Sequence, residues 1–213
     1  MSNQLSIAGT ALEYFHVCAF FNSRDEEYDV LTPFFKEGVQ QGEKNVHIID
    51  PAFLEEHRAR LTAAGIDTPE CEACGQLEIL PWQQAYLNEQ GLFDKDRMLA
   101  TLDAMTRPDD EGGYKRLRIM GNMAWALHGG ASQPEKLIEY EAEVNDVLSR
   151  NRQPAVCVYD VAKLSGAMMM DLLRTHPLTI IGGVVQENPF YTPPAKMLRE
   201  LRDRGQPIES ADV

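Results

Sequence analysis

The segment at residues 14–21, YFHVCAFF, decides how this sequence folds. Its aromatic and β-branched residues predict a buried strand. A capping pattern follows at once, because Ser23 stands three residues before Glu26, and it predicts the start of a helix. Apolar residues at helical spacing continue to about Gln41, and Gly42 ends the helix. A buried strand that leads directly into an amphipathic helix is typical of an α/β fold.

The same alternation continues along the rest of the chain. Further strands are predicted at residues 46–50, 77–80, 117–120, 155–160 and 178–185, the last of them bent at Gly182-Gly183. Further helices are predicted at residues 53–64, 94–106, 134–150, 165–175 and 193–204. This order predicts a three-layer α/β sandwich, with a mostly parallel central sheet and helices on both faces.

Ligands of such sheets bind beyond the carboxyl ends of the strands. The residues that the predicted strands place there are 21–23, Asp50, Pro81-Trp82, Gly121-Asn122 and Tyr159-Asp160. They are site candidates on position alone.

Composition limits the classes of partner. The chain has 213 residues, with 20 Lys and Arg against 33 Asp and Glu, a net charge of −13. Such a balance predicts no direct binding to nucleic acid and none to an anionic membrane, since both need clustered basic residues.

We expect an extension at residues 1–13, a single domain at 14–204 and a tail at 205–213. The N-terminus has no secretory signal pattern, and no apolar run is long enough to span a membrane.

The four cysteines are Cys18, Cys71, Cys74 and Cys157. Two of them stand in apolar segments, where a free cysteine behaves as a small hydrophobic residue. This usage predicts a reducing, cytoplasmic environment.

Several enzyme classes lack their defining motif in this sequence. There is no GxxxxGK[ST], no GxGxxG after a strand, no GxSxG and no HExxH. We therefore do not expect a standard nucleoside triphosphatase, a dinucleotide-binding enzyme, a serine hydrolase or a zinc protease. No recognised catalytic motif takes their place, and we expect no enzymatic activity.

The predicted sheet can bring a histidine and two cysteines together. His16 and Cys18 point to the same face of their strand, because side chains alternate with a period of two. Cys157 stands on a predicted strand that can be the neighbour of the first. The three could bind a soft metal ion or react with an electrophile. The alternative is that the thiols pack in the core and His16 forms a hydrogen bond inside the fold.

Two other patterns allow a functional or a structural interpretation. Cys71-x-x-Cys74 is either part of a surface loop or half of a metal site, completed by His57 or by a second chain. The acidic run at residues 135–143 is either a solvated helix face or a surface for a basic partner.

A polar and aromatic loop follows the last predicted strand. Residues 187–194, ENPFYTPP, could line a small-molecule pocket or cover the edge of the sheet. His176, which precedes Pro177, either caps the carbonyls of the preceding helix or faces the same pocket.

Four separated motifs resemble one known family. Residues 16–21 with 34–38 and Gly42-Glu43 resemble the opening of the MEDS domain, a sensory domain shared by methanogen and methylotroph regulators. Residues 118–127, RIMGNMAWAL, resemble its central motif, and residues 157–160, 174–178, Gly182-Gly183 and 187–191 resemble its closing motifs. The resemblance covers about residues 14–194. It departs from the family at Asn122, where the family commonly has Glu.

The resemblance implies a RecA/KaiC-like fold without the ATPase loops. It also implies a sensor of small hydrocarbon derivatives, with a regulatory partner such as a histidine kinase or a transcription regulator. The ligand-binding residues that it suggests by position are His16, Cys18, Trp125, Tyr159, His176, Glu187, Asn188 and Tyr191. The candidates for metal ligands are His16, Cys18 and Cys157. No cofactor is identified.

We therefore expect a stand-alone sensory domain that binds a small molecule at the carboxyl end of the sheet and signals through a partner protein. One alternative is a ligand-free interaction module that docks through the acidic helix at residues 134–150. Another is an enzyme with Cys18 or Cys157 as its nucleophile. A homo-oligomer is possible, because the sequence does not decide the oligomeric state.

Overall fold

The computed structural model describes residues 6–7, 10–11, 15–107, 113–127 and 134–204. The predicted extension lies partly outside these ranges, and the predicted tail lies wholly outside them.

A seven-stranded sheet lies at the centre of the fold. Two short strands, β1 (Ser6–Ile7) and β2 (Thr10–Ala11), pair separately. The strands of the large sheet are β3 (His16–Phe21), β4 (Lys44–Ile49), β5 (Leu77–Pro81), β6 (Leu117–Asn122), β7 (Ala155–Asp160), β8 (Leu178–Ile181) and β9 (Val184–Glu187). Their spatial order is β5-β4-β6-β7-β3-β8-β9, and only β9 runs antiparallel to its neighbour. The predicted, mostly parallel sheet is confirmed.

Eight α-helices connect the strands in the described part of the chain. They are α1 (Arg24–Gln40), α2 (Leu54–Ala63), α3 (Thr68–Ala73), α4 (Trp82–Tyr86), α5 (Lys95–Thr106), α6 (Pro134–Asn151), α7 (Gly166–Thr175) and α8 (Pro194–Arg204). Short 3-10 helices at Pro51–Phe53, Met123–Leu127 and Val161–Lys163 follow the carboxyl ends of β4, β6 and β7.

Side chains alternate between two cores, one on each face of the sheet. In β3, Val17 and Ala19 pack on the face covered by α1, α2 and α3. Cys18 and Phe20 pack on the opposite face, under α4 to α8. This alternation produces the predicted layers of helix, sheet and helix.

The neighbours of β3 are β7 and β8. Cys18 pairs in register with Cys157 of β7, so the predicted adjacency of these two strands is confirmed. His16 lies on the same face as Cys18 and pairs in register with Ala155. It is the first residue of β3 and therefore lies at the amino edge of the sheet.

The single bent strand predicted at residues 178–185 is wrong. Gly182 and Gly183 have φ angles of 57° and 72°, and they turn the chain back as an antiparallel hairpin of β8 and β9. Two consecutive positive φ angles suit a tight hairpin turn, and glycine adopts them without steric cost.

Of the two interpretations of Cys71-x-x-Cys74, the surface loop is wrong, because most of the segment lies in a short helix. Asp67 caps a short helix, α3, by accepting a hydrogen bond from the amide of Glu70 at 3.3 Å. Cys71 is buried on that helix, and Cys74 is exposed at its end. The short helix α4 has no counterpart in the predicted elements. Within the described ranges, none of the helices has the length and apolar character needed to cross a membrane.

Candidate functional site

Four buried side chains with metal-binding groups meet between the sheet and helix α6. They are His16, Glu141, Cys157 and His176, and their ligand atoms all lie within 4.8 Å of one another. Three separate elements and one corner of the chain supply them. His16 begins β3, Cys157 lies within β7, Glu141 lies on α6, and His176 lies between α7 and β8. We call these four residues the HECH cluster.

One oxygen of Glu141 is the centre of the HECH cluster. Its Oε2 lies 3.2 Å from His16 Nε2, 3.3 Å from His176 Nε2 and 3.5 Å from Cys157 Sγ. His16 Nε2 is itself 3.4 Å from Cys157 Sγ. The other oxygen, Oε1, accepts a 2.7 Å hydrogen bond from the hydroxyl of Tyr159.

Asn145 determines which ring nitrogen of His16 carries the proton. Its side-chain nitrogen donates to the backbone carbonyls of Glu141, Ala142 and Thr175, at 3.0, 3.1 and 2.7 Å. Its oxygen therefore faces His16 Nδ1, at 3.2 Å, and can only accept. His16 Nδ1 must be the donor, so the neutral ring directs the lone pair of Nε2 toward Glu141.

The backbone fixes His176 in the same way. Its Nδ1 lies 2.8 Å from the carbonyl oxygen of Leu172, which can only accept a hydrogen bond. The neutral ring of His176 therefore directs its own Nε2 lone pair toward Glu141. Among the described residues, this nitrogen makes no hydrogen bond of acceptable geometry.

Burial and proximity change the pKa values of the cluster. Burial alone raises the pKa of the Glu141 carboxyl, but the imidazoles of His16 and His176, whose Nε2 atoms lie 3.2 and 3.3 Å from its Oε2, outweigh burial and lower the pKa. Burial, and next the proximity of His176, lowers the pKa of His16 to about 4. Burial raises the pKa of the Cys157 thiol. The cluster therefore holds an ionised carboxylate that no permanently charged group of the cluster neutralises.

A second feature is a cleft of about 110 Å³ at the carboxyl edge of the sheet. Of the residues that the predicted strand ends place at this edge, six line the cleft: Phe21, Ser23, Asp50, Asn122, Tyr159 and Asp160. Its other charged residues are Arg24, Glu27 and Lys163. Apolar side chains, among them Ile49, Phe53 and Val158, form the remaining walls.

Glu27 gives the cleft an unusual acid. It is only 9% exposed, and burial raises its pKa to about 7, although the charges of Arg24 and Arg60 oppose the shift. The guanidinium of Arg24 stacks on the ring of Phe53 at 3.6 Å. A carboxyl group that changes its charge near neutral pH is the kind of group that marks functional sites.

The predicted ligand-binding residues do not form one pocket. His16 and His176 belong to the HECH cluster, and Tyr159 contacts both the cluster and the cleft. Trp125 is buried against Tyr86 and Phe93, with ring centroids 4.9 and 4.6 Å apart.

The remaining predicted residues lie apart from the cleft lining. Cys18 is buried beside Cys157 but is not one of the four clustered residues. Asn188 donates to the carbonyl oxygen of His176 at 2.7 Å and so holds the corner between α7 and β8. Glu187 is exposed at the end of β9, and the amide of Tyr191 donates to the carbonyl of Asn188.

Sequence reasoning missed Glu141. The expectation that residues 135–143 form a solvated face is wrong at this position, because Glu141 is fully buried. The position of Glu141 in the helical repeat is the sequence feature that indicates its burial. Glu141 and Asn145 fall on the apolar stripe that runs from Leu137 through Ile138 to Leu148. A carboxylate on the core-facing stripe of a helix requires a partner inside the fold.

The two thiols of the predicted site do not have the properties of a nucleophile. Burial raises the pKa of Cys18 and of Cys157, and the charge of Glu141 adds to both shifts. A reactive cysteine needs a stabilised and accessible thiolate. The local environment therefore disfavours the cysteine-dependent enzyme.

Comparisons with known proteins agree with the fold. The family described as MEDS, the methanogen/methylotroph, DcmR sensory domain, matches residues 15–177. The transcriptional repressor DcmR of Methylorubrum extorquens is 29% identical over 180 residues, and the match covers 80% of this chain. The chain spans 61% of the length of that repressor. A crystal structure of a KaiC-like protein from Pyrococcus horikoshii OT3 matches with a TM-score of 0.55 at 17% identity, over 81% of this chain and 73% of that one.

Proposed function

This chain belongs to the MEDS family of sensory domains, and we propose that it binds a small organic molecule in the carboxyl-edge cleft and signals to a regulatory partner protein. The observation that carries the proposal is the cleft itself, which is small, mostly apolar and placed where parallel sheets bind ligands.

The volume of the cleft sets the size of the ligand. A cavity of about 150 Å³ holds benzene, whereas this cleft has about 110 Å³. Pockets for drug-sized molecules begin at about 300 Å³. A molecule smaller than benzene therefore fits inside the cleft without rearrangement, whereas most of a nucleoside triphosphate would lie outside it. This size agrees with the absence of a phosphate-binding loop in the sequence.

The lining sets the polarity of the ligand. Ile49, Phe53 and Val158 offer apolar contact, while the buried carboxyl group of Glu27 and the guanidinium of Arg24 are among the polar groups of the lining. A short hydrocarbon derivative with one polar substituent matches this combination, because its apolar part and its polar group each find a partner.

Signalling through a partner is proposed from the relative. DcmR is a transcriptional repressor, and this chain matches only part of it. We propose that ligand binding changes the affinity of this domain for a protein that regulates transcription. The ligand can shift the domain only by its difference in affinity for two conformations.

A nitrogen-15 NMR titration tests the ligand site. The probes are small alcohols, amines, carboxylic acids and alkyl halides no larger than benzene. At least one should shift the amide signals of Asp50, Asn122 and Asp160 in a saturable manner. Ala124→Leu should abolish the shifts, because Ala124 lines the cleft and leucine fills it.

The matched control is Ala100→Leu, on the exposed side of α5. It makes the same chemical change away from the cleft and should leave the titration unaltered. Shifts that persist in Ala124→Leu, or a complete panel with no saturable shift at the cleft, would count against the proposal.

A further inference from the structure

We propose that His16, Glu141, Cys157 and His176 form a closed, four-coordinate site for a divalent transition metal ion, and that Zn²⁺ is the ion that fits it best. The inference does not depend on the proposed ligand cleft. It rests on distances, hydrogen bonds, burial and charge within the HECH cluster.

The distances match a tetrahedron around zinc. Zinc binds nitrogen and oxygen at about 2.0–2.2 Å and sulfur at about 2.3 Å, so neighbouring ligand atoms should be about 3.3–3.6 Å apart. Glu141 Oε2 lies 3.2, 3.3 and 3.5 Å from the two histidine Nε2 atoms and Cys157 Sγ. The pair of His16 Nε2 and Cys157 Sγ adds 3.4 Å. These four of the six pairs need almost no movement to surround a metal ion, and the other two pairs lie within 4.8 Å.

The hydrogen bonds prepare both histidines as ligands. A metal-binding histidine normally donates its other ring proton to a carbonyl or a carboxylate, which fixes the ring and its tautomer. His16 donates from Nδ1 to Asn145, and His176 donates from Nδ1 to Leu172. Both Nε2 lone pairs are thereby directed at the centre of the cluster.

Without a metal ion, the HECH cluster has fewer hydrogen-bond donors than acceptors. With Glu141 ionised and both imidazoles neutral, Oε2 and the two Nε2 atoms are three acceptors, and the thiol of Cys157 is the one donor of the cluster that faces them. The Nε2 atom of His176 is fully buried and makes no hydrogen bond within the described residues. A proton on one imidazole would form a hydrogen bond with a single acceptor. A metal ion, in contrast, accepts one lone pair from each of the four ligand atoms.

Charge balance also favours a divalent ion. Cys157 releases its thiol proton on binding, as metal-bound cysteine does. Zn²⁺ then carries two positive charges against one thiolate and one carboxylate, with two neutral imidazoles. The site is neutral as a whole and can be buried without an unpaired charge. Nitrogen, sulfur and carboxylate donors in a tetrahedron are typical of zinc among the common divalent ions.

The site would be structural or regulatory. All four positions are protein ligands, so no open position remains for a substrate. The ion would connect β3, β7, α6 and the corner before β8, which are distant in sequence. Tyr159 binds Glu141 and also lines the cleft, so the ion would stabilise one wall of the cleft.

Cobalt substitution tests the site. The purified protein should retain about one zinc per chain, and after chelation it should take up Co²⁺ with tetrahedral visible bands and a thiolate-to-cobalt charge-transfer band. Cys157→Ser should lose the charge-transfer band and bind zinc more than ~10-fold more weakly, because a first ligand matters at least as much as its outer partners. Cys18→Ser is the matched control, since Cys18 is an equally buried thiol in register with Cys157.

Two results would overturn the proposal. One is a folded wild-type protein that binds neither zinc nor cobalt in a one-to-one ratio. The other is a charge-transfer band that survives in Cys157→Ser and disappears in Cys74→Ser. That result would assign the metal ion to Cys71 and Cys74.

A second measurement avoids variants that fail to fold. Nitrogen NMR of the imidazoles in the wild-type protein should show zinc-dependent shifts at Nε2 of His16 and His176. His47 and His57, which bind each other at 2.9 Å on the other face of the sheet, should not change. Shifts at neither clustered histidine would contradict the site directly.

Discussion

The hydroxyl of Tyr159 donates a 2.7 Å hydrogen bond to Oε1 of Glu141, and Tyr159 is also one of the residues that line the carboxyl-edge cleft. One residue therefore contacts both the cleft and the buried HECH cluster. A molecule in the cleft that moves Tyr159 must also disturb the carboxylate at the centre of the cluster. The contact is a physical route by which binding in the cleft could reach α6.

Tyr159→Phe tests the strength of this contact. Hydrogen bonds to charged groups contribute about 1.5–3 kcal/mol, and Glu141 is fully buried. We expect the free energy of unfolding of the metal-free protein to fall by about that amount, measured by urea denaturation at neutral pH in the presence of a chelator. Tyr140→Phe is the control, because its buried ring packs on Tyr86 and Phe93. Equal losses in the two variants would show that the contact with Glu141 has no special weight.

Gly38→Ala should destabilise the protein through a steric clash. A Cβ atom at this position of α1 would lie 2.7 Å from Cδ and 2.8 Å from Nε of Arg118. Arg118 is fully buried and cannot move freely, because its Nε donates to Glu43 at 2.6 Å. We expect a loss of about 1–3 kcal/mol, as for other overpacked cores, measured by urea or thermal unfolding.

Gly166→Ala is the control for this prediction. Gly166 begins α7, and a Cβ atom there would meet nothing within 4 Å. Alanine favours helix over glycine by up to about 1 kcal/mol, so this variant should be neutral or slightly more stable. A Gly38→Ala variant as stable as Gly166→Ala would mean that Arg118 relocates at little cost.

Glu27 should make stability depend on pH. Its pKa is raised from 4.5 in the unfolded chain to about 7 in the fold, chiefly by burial. Below about pH 4.5 the carboxyl is protonated in both states and costs nothing. Between these two values the unfolded state releases its proton first, so the free energy of unfolding decreases as pH rises. Above pH 7 the full penalty, on the order of 3 kcal/mol, is present.

Glu27→Gln should remove that penalty. The variant should be more stable than the wild type above pH 7 and lose this advantage below about pH 4.5, in urea denaturation at a series of pH values. Asp29→Asn removes an exposed carboxylate from the same helix and should not produce this pH-dependent gain. A gain for Glu27→Gln that is independent of pH would reject the titration of Glu27 as its cause.

The sheet could be predicted because its strands are buried. Residues 155–159 are apolar or aromatic and include two β-branched valines, and the predicted bounds of 155–160 coincide with those of β7. Gly182-Gly183 was misinterpreted for a local reason. Apolar residues flank it on both sides, so hydropathy alone cannot distinguish a bend within one strand from a hairpin turn.

The candidate site was only partly predictable. The period of two placed His16 and Cys18 on one face, and adjacency of parallel strands brought Cys157 beside them. Glu141 and His176 come from a helix and a corner, and their approach depends on how α6 and α7 pack on the sheet. No local pattern encodes that packing. The position of Glu141 on an apolar stripe indicated burial, but not which side chains it meets.

Asn145 is not one of the four proposed ligands, but it should affect the affinity for the metal ion. It fixes the tautomer of His16 and also binds the backbone carbonyl of Thr175, next to His176. Loss of such outer partners typically weakens metal binding by about 10–100-fold. We therefore expect Asn145→Ala to lower zinc affinity by that factor, measured by competition with a chelating dye.

Asn151→Ala separates this effect from a general loss of stability. Asn151 is a second buried asparagine on α6, and its side-chain nitrogen donates to Thr106 at 2.8 Å, outside the HECH cluster. Both variants leave buried groups without a hydrogen bond, so both should unfold at lower urea concentration. Only Asn145→Ala should lose zinc affinity, because only Asn145 holds a histidine of the cluster in its binding tautomer. An equal loss of affinity in Asn151→Ala would mean that the stability of α6, and not the orientation of His16, controls metal binding.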